Sequence, residues 1–255
     1  MSAPGPPPPT RFAAALRLVG PGIAVAATGV GAGDLVAAAK AGATYGLPVL
    51  WAAGLGAVLK FVLAEGIARW QLATGTTVLE GWVDRFGPVI RAWFLVYLVL
   101  WTLIVAAALM SACGLAIHAL VPAVPVPVGG VLHGLAALVF VWFEGYGRFE
   151  RLMKAAIGVM FVSILGTAVV QAPPLAETVR GMLVPTVPAG SSVLLLGVVG
   201  GVGGTLTLLS YNYWMREKGW DGPAWTRGVR VDLATGYVLT GVFGVALTLL
   251  AGAVL

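Results

Sequence analysis

The chain is expected to fold as an all-α polytopic membrane protein, and three observations carry that expectation. Hydrophobic residues make up 59% of its 255 residues, charged residues make up 10%, and the mean hydropathy is +0.96. Soluble domains carry roughly a quarter charged residues. The apolar residues gather into about seven runs able to cross a bilayer. Two of these runs are interrupted near their middles by glycines next to polar side chains, one at Ala27-Thr-Gly-Val-Gly-Ala-Gly-Asp34 and one at Gly200-Gly-Val-Gly-Gly-Thr-Leu-Thr207.

The spans read as 19–46, 47–68, 92–120, 129–146, 155–172, 191–214 and 231–254. Ahead of them, residues 1–18 read as a disordered cytoplasmic tail, because Ser2–Thr10 is rich in proline. No cleavage pattern follows a short apolar core, so the first run reads as a retained span. A single cysteine, Cys113, excludes an internal disulfide framework or a thiolate cluster. The two histidines, His118 and His133, flank the Pro-rich Val121–Val128 and are too few for a His-based centre.

The basic residues set the orientation. Arg11, Arg17, Arg69, Arg85, Arg91, Arg148, Arg151, Lys154, Arg216, Lys218, Arg227 and Arg230 all fall on the N-terminal side of the spans, which is twelve of the fifteen. Arg180 alone lies in an opposite loop, while Lys40 and Lys60 fall within or near spans. This bias predicts a cytoplasmic N-terminus in an inner or plasma membrane, with the last span ending outside. The net charge of +5 and pI near 9.7 are thus a matter of topology, and no nucleic-acid partner is expected.

An unpaired backbone group in lipid costs several kcal/mol, so a break inside a span persists where the freed groups line a cavity or hold a solute. Two breaks in two spans point to a transporter with a site near the midplane. Asp34 follows directly on Gly29, Gly31 and Gly33. A carboxylate beside released carbonyls offers several oxygens around one point, which suits a hard cation. Alternatively, the glycines serve close helix packing, with Asp34 paired elsewhere. Lys40, six residues on, lies on a different helical face from Asp34. In the sixth span Thr205, Thr207, Ser210 and Asn212 offer hydroxyl and amide oxygens, either as ligands or as interhelical glue.

Other charges carry blander expectations. Glu65, Arg69, Glu80, Asp84 and Arg85 read as solvated or ion-paired at the cytoplasmic end of the second span. Glu144, Arg148, Glu150 and Arg151 read as a structural cluster, and Asp232 as a cap at the start of its own helix. Trp51, Trp70, Trp82, Trp142, Tyr213, Trp214 and Trp220 read as interfacial anchors. No catalytic motif is present, so the chain is not read as an enzyme and no cofactor is expected.

A family resemblance rests on several of these residues. Gly20-Pro-Gly22, Gly31-Ala-Gly-Asp34, Ala41-Gly-Ala-Thr-Tyr-Gly46 and Leu50-Trp51 resemble the first helix of the Nramp divalent metal transporters. Ala73-Thr-Gly-Thr-Thr-Val-Leu-Glu80 and Tyr146-Gly-Arg-Phe-Glu-Arg151 are similar to two later stretches of that family. The resemblance implies a LeuT-type inverted-repeat architecture in which broken helices 1 and 6 hold a divalent cation. The family's D-P-G-N falls on Gly31–Asp34 and its M-P-H-N on Thr207–Ser210, so the carboxylate has moved to the fourth position and the thioether is missing. Ser111 and apolar neighbours stand where the family carries acidic proton-path residues. An all-oxygen set suits Mg²⁺ or a Mn²⁺-like ion.

The implied fold has two repeats of five helices. Here residues 19–172 correspond to the first repeat, 173–190 to an outer loop, and 191–255 to the first two helices of the second. The expectation is therefore a carrier, or the N-terminal part of one apparently truncated after the seventh helix: either a truncated gene product, or one piece of a split transporter whose missing helices a second chain supplies. The expected metal ligands are Asp34, Gly31, Gly204, Thr207 and Ser210. Two alternatives stand beside it: a carrier for a small organic solute, with Lys40 supplying positive charge, and a non-transporting interaction subunit or degenerate fragment.

Overall fold

The structure, a computed structural model, describes residues 8–9, 12, 19–24, 32–171, 174–201 and 205–254. Among these the backbone is helical and contains no strand. Residues 21–24 form a helical turn. The longer helices are α1 (Ala32–Tyr45), α2 (Trp51–Thr74), α3 (Val78–Leu120), α4 (Val126–Gln171), α5 (Leu175–Leu183), α6 (Ser192–Gly201), α7 (Thr205–Glu217) and α8 (Thr226–Val254). Short 3₁₀ turns at Leu47–Val49 and Pro223–Trp225 lead into α2 and α8. Of the tail 1–18, Pro9 is buried against Gly228.

Helices over Leu47–Thr74, Val78–Leu120 and Pro223–Ala253 are long and apolar enough to cross a membrane, and Val126–Phe140, Ala155–Gln171 and Ser192–Gly201 are shorter apolar helices. Local chemistry sets several ends. Gly75 closes α2 in the left-handed region (φ 71°), and its amide donates to the Gln71 carbonyl at 2.8 Å. Thr77 and Glu80 then form a reciprocal box at the start of α3: the Glu80 amide donates to Thr77 Oγ1 at 3.1 Å, and the Thr77 amide donates to Glu80 Oε2 at 2.6 Å. At 43 residues α3 exceeds any bilayer as a straight rod, and Gly87 (φ 72°) followed by Pro88 breaks it ahead of the apolar run beginning at residue 92.

Three boundaries differ from the sequence expectation. The fourth and fifth spans lie on one helix, because the interval 147–154 is rich in Arg, Glu, Leu, Met and Lys and lacks proline, so propensity carries the helix onward. The loop expected at 173–190 contains α5. The sixth span is described as two helices, α6 and α7, and Val202, Gly203 and Gly204 between them lie outside the described residues.

The chain forms two compact units, Met1–Arg85 with Ser163–Leu255, and Phe86–Val162. In the second unit, α3 and α4 make a hairpin whose backbones meet closely at Gly114, where a Cβ would overlap the Val126 carbonyl. His118 Nδ1 lies 2.8 Å from the Val124 carbonyl oxygen in the same turn. Its large apolar side chains point outward, as Trp93 (59% exposed) and Ile104 (68%) show. That arrangement suits hydrocarbon surroundings.

In the first unit α8 is the common wall. The first span runs parallel to it: Gly22 lies against Asp232 and Gly236, and Gly42 lies against Thr248 and Ala251. Helix α2 runs antiparallel, with Ala57 against Gly241 and Ala53 against Gly244. Two cores result. One joins Ala41, Val49, Ala52, Ala53, Leu195 and Val198. The other joins Ala64, Ala68 and Leu72 of α2 to Leu208, Tyr211 and Met215 of α7 and to Val229, Leu233 and Tyr237 of α8. Trp220 belongs to this second core, stacked on Trp225 at 5.2 Å, so it is not an interfacial anchor.

Small residues thus set the α1–α8 spacing, and a methyl group at Gly42 would collide with the Thr248 carbonyl, whereas Gly54 in α2 has open space around it. Gly42→Ala is expected to cost about 1–3 kcal/mol through forced separation of the helices. Gly54→Ala is expected to be neutral or to stabilise by about 0.5–1 kcal/mol through helix propensity. Thermal unfolding of the two detergent-purified variants checks the contrast.

Candidate cation site and its supports

The expected ligands fall where two glycine runs lead into helices. Asp34 is the third residue of α1, and Thr207 is the third residue of α7. Their side chains, and Gly31 and Gly204 entirely, lie outside the described residues. Ser210 is half-buried, and its hydroxyl donates to the Leu206 carbonyl at 3.1 Å. That bond uses the proton and leaves oxygen lone pairs free to accept a cation. Lys40 lies on the exposed side of α1. Among the described residues no group of three or more His, Cys, Asp or Glu is placed to hold a metal.

What the structure does show is how the segments carrying these residues are anchored. Residues 19–24 meet α8 beside the second core, while α1 lies on the first; α6 belongs to the first core and α7 to the second. Both glycine runs therefore connect segments that belong to different cores.

Asp232 does not cap its own helix. It is the seventh residue of α8, is 1% exposed, and accepts from the Gly20 amide at 2.9 Å and from the Tyr211 hydroxyl at 2.7 Å. It thus caps the entry of the first span, 212 residues away in sequence. A Cβ at Gly22 would overlap the Asp232 carbonyl, and one at Gly236 would overlap the Gly22 carbonyl. This explains the Gly20-Pro-Gly22 triplet physically: Pro21 presets the turn and Gly22 lets two backbones touch.

Asn212 is likewise a strut. It is 1% exposed; its Oδ1 accepts from the Val78 amide at 3.3 Å and its Nδ2 donates to the Ile67 carbonyl at 3.3 Å. One turn further along α7, Arg216 donates from its two terminal nitrogens to Glu80 at 2.9 and 2.5 Å, and to the Gly75 carbonyl at 3.3 Å. Glu65 is paired with Arg69 and accepts from Arg230 Nε at 2.7 Å. The ion pairs expected around Glu65 and Glu80 are present, and they gather at one end of the first unit. At its other end Trp51 Nε1 donates to the Thr186 carbonyl at 3.0 Å, and Gly181 of α5 seats against Leu47.

Comparison with known proteins decides the family. The profile described as "Natural resistance-associated macrophage protein-like" (Nramp) matches residues 22–255. The chain belongs to the Nramp family. A divalent metal cation transporter MntH of Yersinia pestis (strain Pestoides F) is 29% identical over 192 residues, covering 72% of this chain and 46% of the relative. The MntH of Erwinia tasmaniensis is 30% identical over 190 residues, covering 72% and 45%. A crystal structure of the Eremococcus coleocola manganese transporter, in complex with an aromatic bis-isothiourea substituted compound, superposes with a TM-score of 0.77 at 17% identity, covering 99% of this chain and 55% of that one. The fold is the LeuT-type fold of Nramp transporters, and this is a membrane protein. The chain spans less than half the length of these curated relatives.

Within this Nramp chain the Glu80–Arg216 pair carries a testable charge. Glu80 precedes the kink at Gly87 and the apolar run of the third span. The Arg216 hydrogen bonds, helped by the Thr77 amide, hold its carboxyl at about 2, below the usual 4.5. A depressed carboxyl stabilises the fold above the unfolded value and loses that contribution as pH falls toward the folded value. Both side chains are more than a third exposed (39% and 46%), so screening keeps the pair below about 1 kcal/mol. Glu80→Gln is expected to lower thermal stability slightly at pH 7, with the difference from the parent shrinking as pH falls below about 4.5. Melting curves from pH 7 to pH 3 check it.

Proposed function

We propose that this Nramp chain forms the cation-binding part of a carrier that moves a divalent metal ion across a membrane by alternating access. The supporting observation is the pairing of family and placement: the Nramp match covers 22–255, and Asp34 opens α1 just after a glycine run while α7 opens just after the other. In this reading Asp34 is the charged ligand. Backbone carbonyls near Gly31 and Gly204, with Thr207 and Ser210, complete an all-oxygen set, which favours Mg²⁺ or a Mn²⁺-like ion. The relatives' names, divalent metal cation transporter and manganese transporter, agree with such a cargo.

The proposal extends to organisation. Residues 19–172 are read as one five-helix repeat and 191–255 as the opening pair of the inverted one. The first span and α8 run parallel where they touch. The N-terminus is placed in the cytoplasm of an inner or plasma membrane, because Arg69, Arg216 and Arg230 gather at one end of the first unit. The chain covers 46% of its relative's length, and the remaining helices of an alternating-access machine belong to the part of that length it does not cover. The activity is carriage, with no bond made or broken.

Mn²⁺ or Mg²⁺ at about a hundred times its dissociation constant should stabilise the purified protein by roughly 2.7 kcal/mol. Asp34→Ala should abolish that shift while melting normally in chelator. Failure of Mn²⁺, Mg²⁺ and Ca²⁺ to raise the melting temperature, or an equal rise in Asp34→Ala, removes the cation site. Liposomes holding residues 1–255 alone should show no metal flux; robust flux would rule out a need for further helices.

A further inference from the structure

The Asp232 carboxylate joins three segments at once. It sits on α8, accepts the Gly20 amide at the entry of the first span, and accepts the Tyr211 hydroxyl of α7. Asp232 and Tyr211 are 1% and 0% exposed. The Tyr237 hydroxyl, five residues along α8, is buried with no hydrogen-bond partner among the described residues. Of the two buried tyrosine hydroxyls at this end of α8, Asp232 therefore engages that of Tyr211 alone. The seat is tight in the steric sense too, since Gly22 and Gly236 touch backbone to backbone.

These are the same segments on which the proposed ligands lie. The first span carries Asp34 beyond its glycine run, and α7 carries Thr207 and Ser210 just before Tyr211. We propose that Asp232 is a positioning residue: with Tyr211 it clasps the first turn of the first span onto α7 and α8, closing one end of the site, and that end opens only when the clasp breaks. The carboxylate is suited to this because a helix entry presents free amides and positive dipole, and an anion there gains from both. A neutral amide in its place keeps the geometry, since its oxygen accepts from Gly20 and its nitrogen donates to the Tyr211 oxygen.

The inference rests on the proposed location of the site between the first and sixth spans, but its test needs neither metal nor transport. Cys113→Ser removes the native thiol, and Ala24→Cys places a probe in the half-buried turn behind Gly20. The rate at which a hydrophilic maleimide labels this chain without metal reads opening of the turn. Asp232→Ala should label at least about tenfold faster, as loss of two charge-assisted bonds implies. Asp232→Asn should return to within about threefold of the parent, and Tyr211→Phe should lie between. Thr248→Ala, which removes a buried bond to the Gly244 carbonyl elsewhere on α8, should leave the rate unchanged. An unchanged rate in Asp232→Ala, an Asn variant as fast as the Ala variant, or equal acceleration in Thr248→Ala overturns the clasp. If Asp232→Ala does not elute as a folded species, Tyr211→Phe decides: faster labelling supports the clasp and the parent's rate overturns it.

Discussion

An interrupted helix in hydrocarbon has amides and carbonyls that its surroundings cannot satisfy, and the arrangement of the first unit follows from meeting that need. The side chains that meet it come from far along the sequence. Asp232 serves the entry of the first span. Asn212 serves the start of α3 with its amide oxygen and ties it to the body of α2 through the Ile67 carbonyl, and Arg216 adds the Gly75 carbonyl at the end of α2. The bonds to Gly20, Val78 and Gly75 each fix a helix terminus and also the helix that supplies the side chain. Helix α7 is therefore held by what it gives to others as much as by its apolar contacts.

Helix α8 can act as a shared wall because its contact positions are small. Glycines at 236, 241, 244 and 252 let the first span and α2 approach its backbone from opposite directions. Without a strong hydrophobic drive between helices in lipid, close packing of this kind supplies the dispersion contacts that hold them. Large side chains such as Tyr211, Met215 and Leu233 then fill the second core. The charged residues are left at the end of the wall, where Glu65 and Glu80 each find arginine partners.

Much of this was legible locally. Hydropathy places α2, α3 and α8 within a few residues, except where a cap or kink moves an end: the Thr77–Glu80 box starts α3 well before its apolar run. The Gly75 stop and the Gly20-Pro-Gly22 triplet are also visible in sequence, as residues if not as contacts. What sequence hides is the partner. Asp232 reads as a cap of its own helix because proximity in sequence suggests it, while its real partners lie 212 and 21 residues away. Asn212 reads as an oxygen donor beside a glycine run until both ends of its amide are seen to be engaged. Helix α5 lay in a loop by hydropathy because its apolar residues share one face among polar ones. Of the candidate ligands, Asp34 and Thr207 are placed by backbone and Ser210 by its side chain, which puts them in the helices that follow the two glycine runs.

The two intramembrane aspartates then separate by physical role. Asp232 accepts a bond on each carboxylate oxygen and is sealed from solvent, so a cation there would have to displace bonds that hold two helices. A sealed carboxylate already engaged through both oxygens is a poor ligand and a good fastener. Asp34 is in the first turn of α1, after a run of glycines whose carbonyls need partners of their own if the helix is open there. A divalent cation satisfies such carbonyls and a carboxylate together, which hydrogen-bond donors alone would do with several separate groups. With Asp232 engaged as a fastener, Asp34 is left as the carboxylate of the proposed cation site.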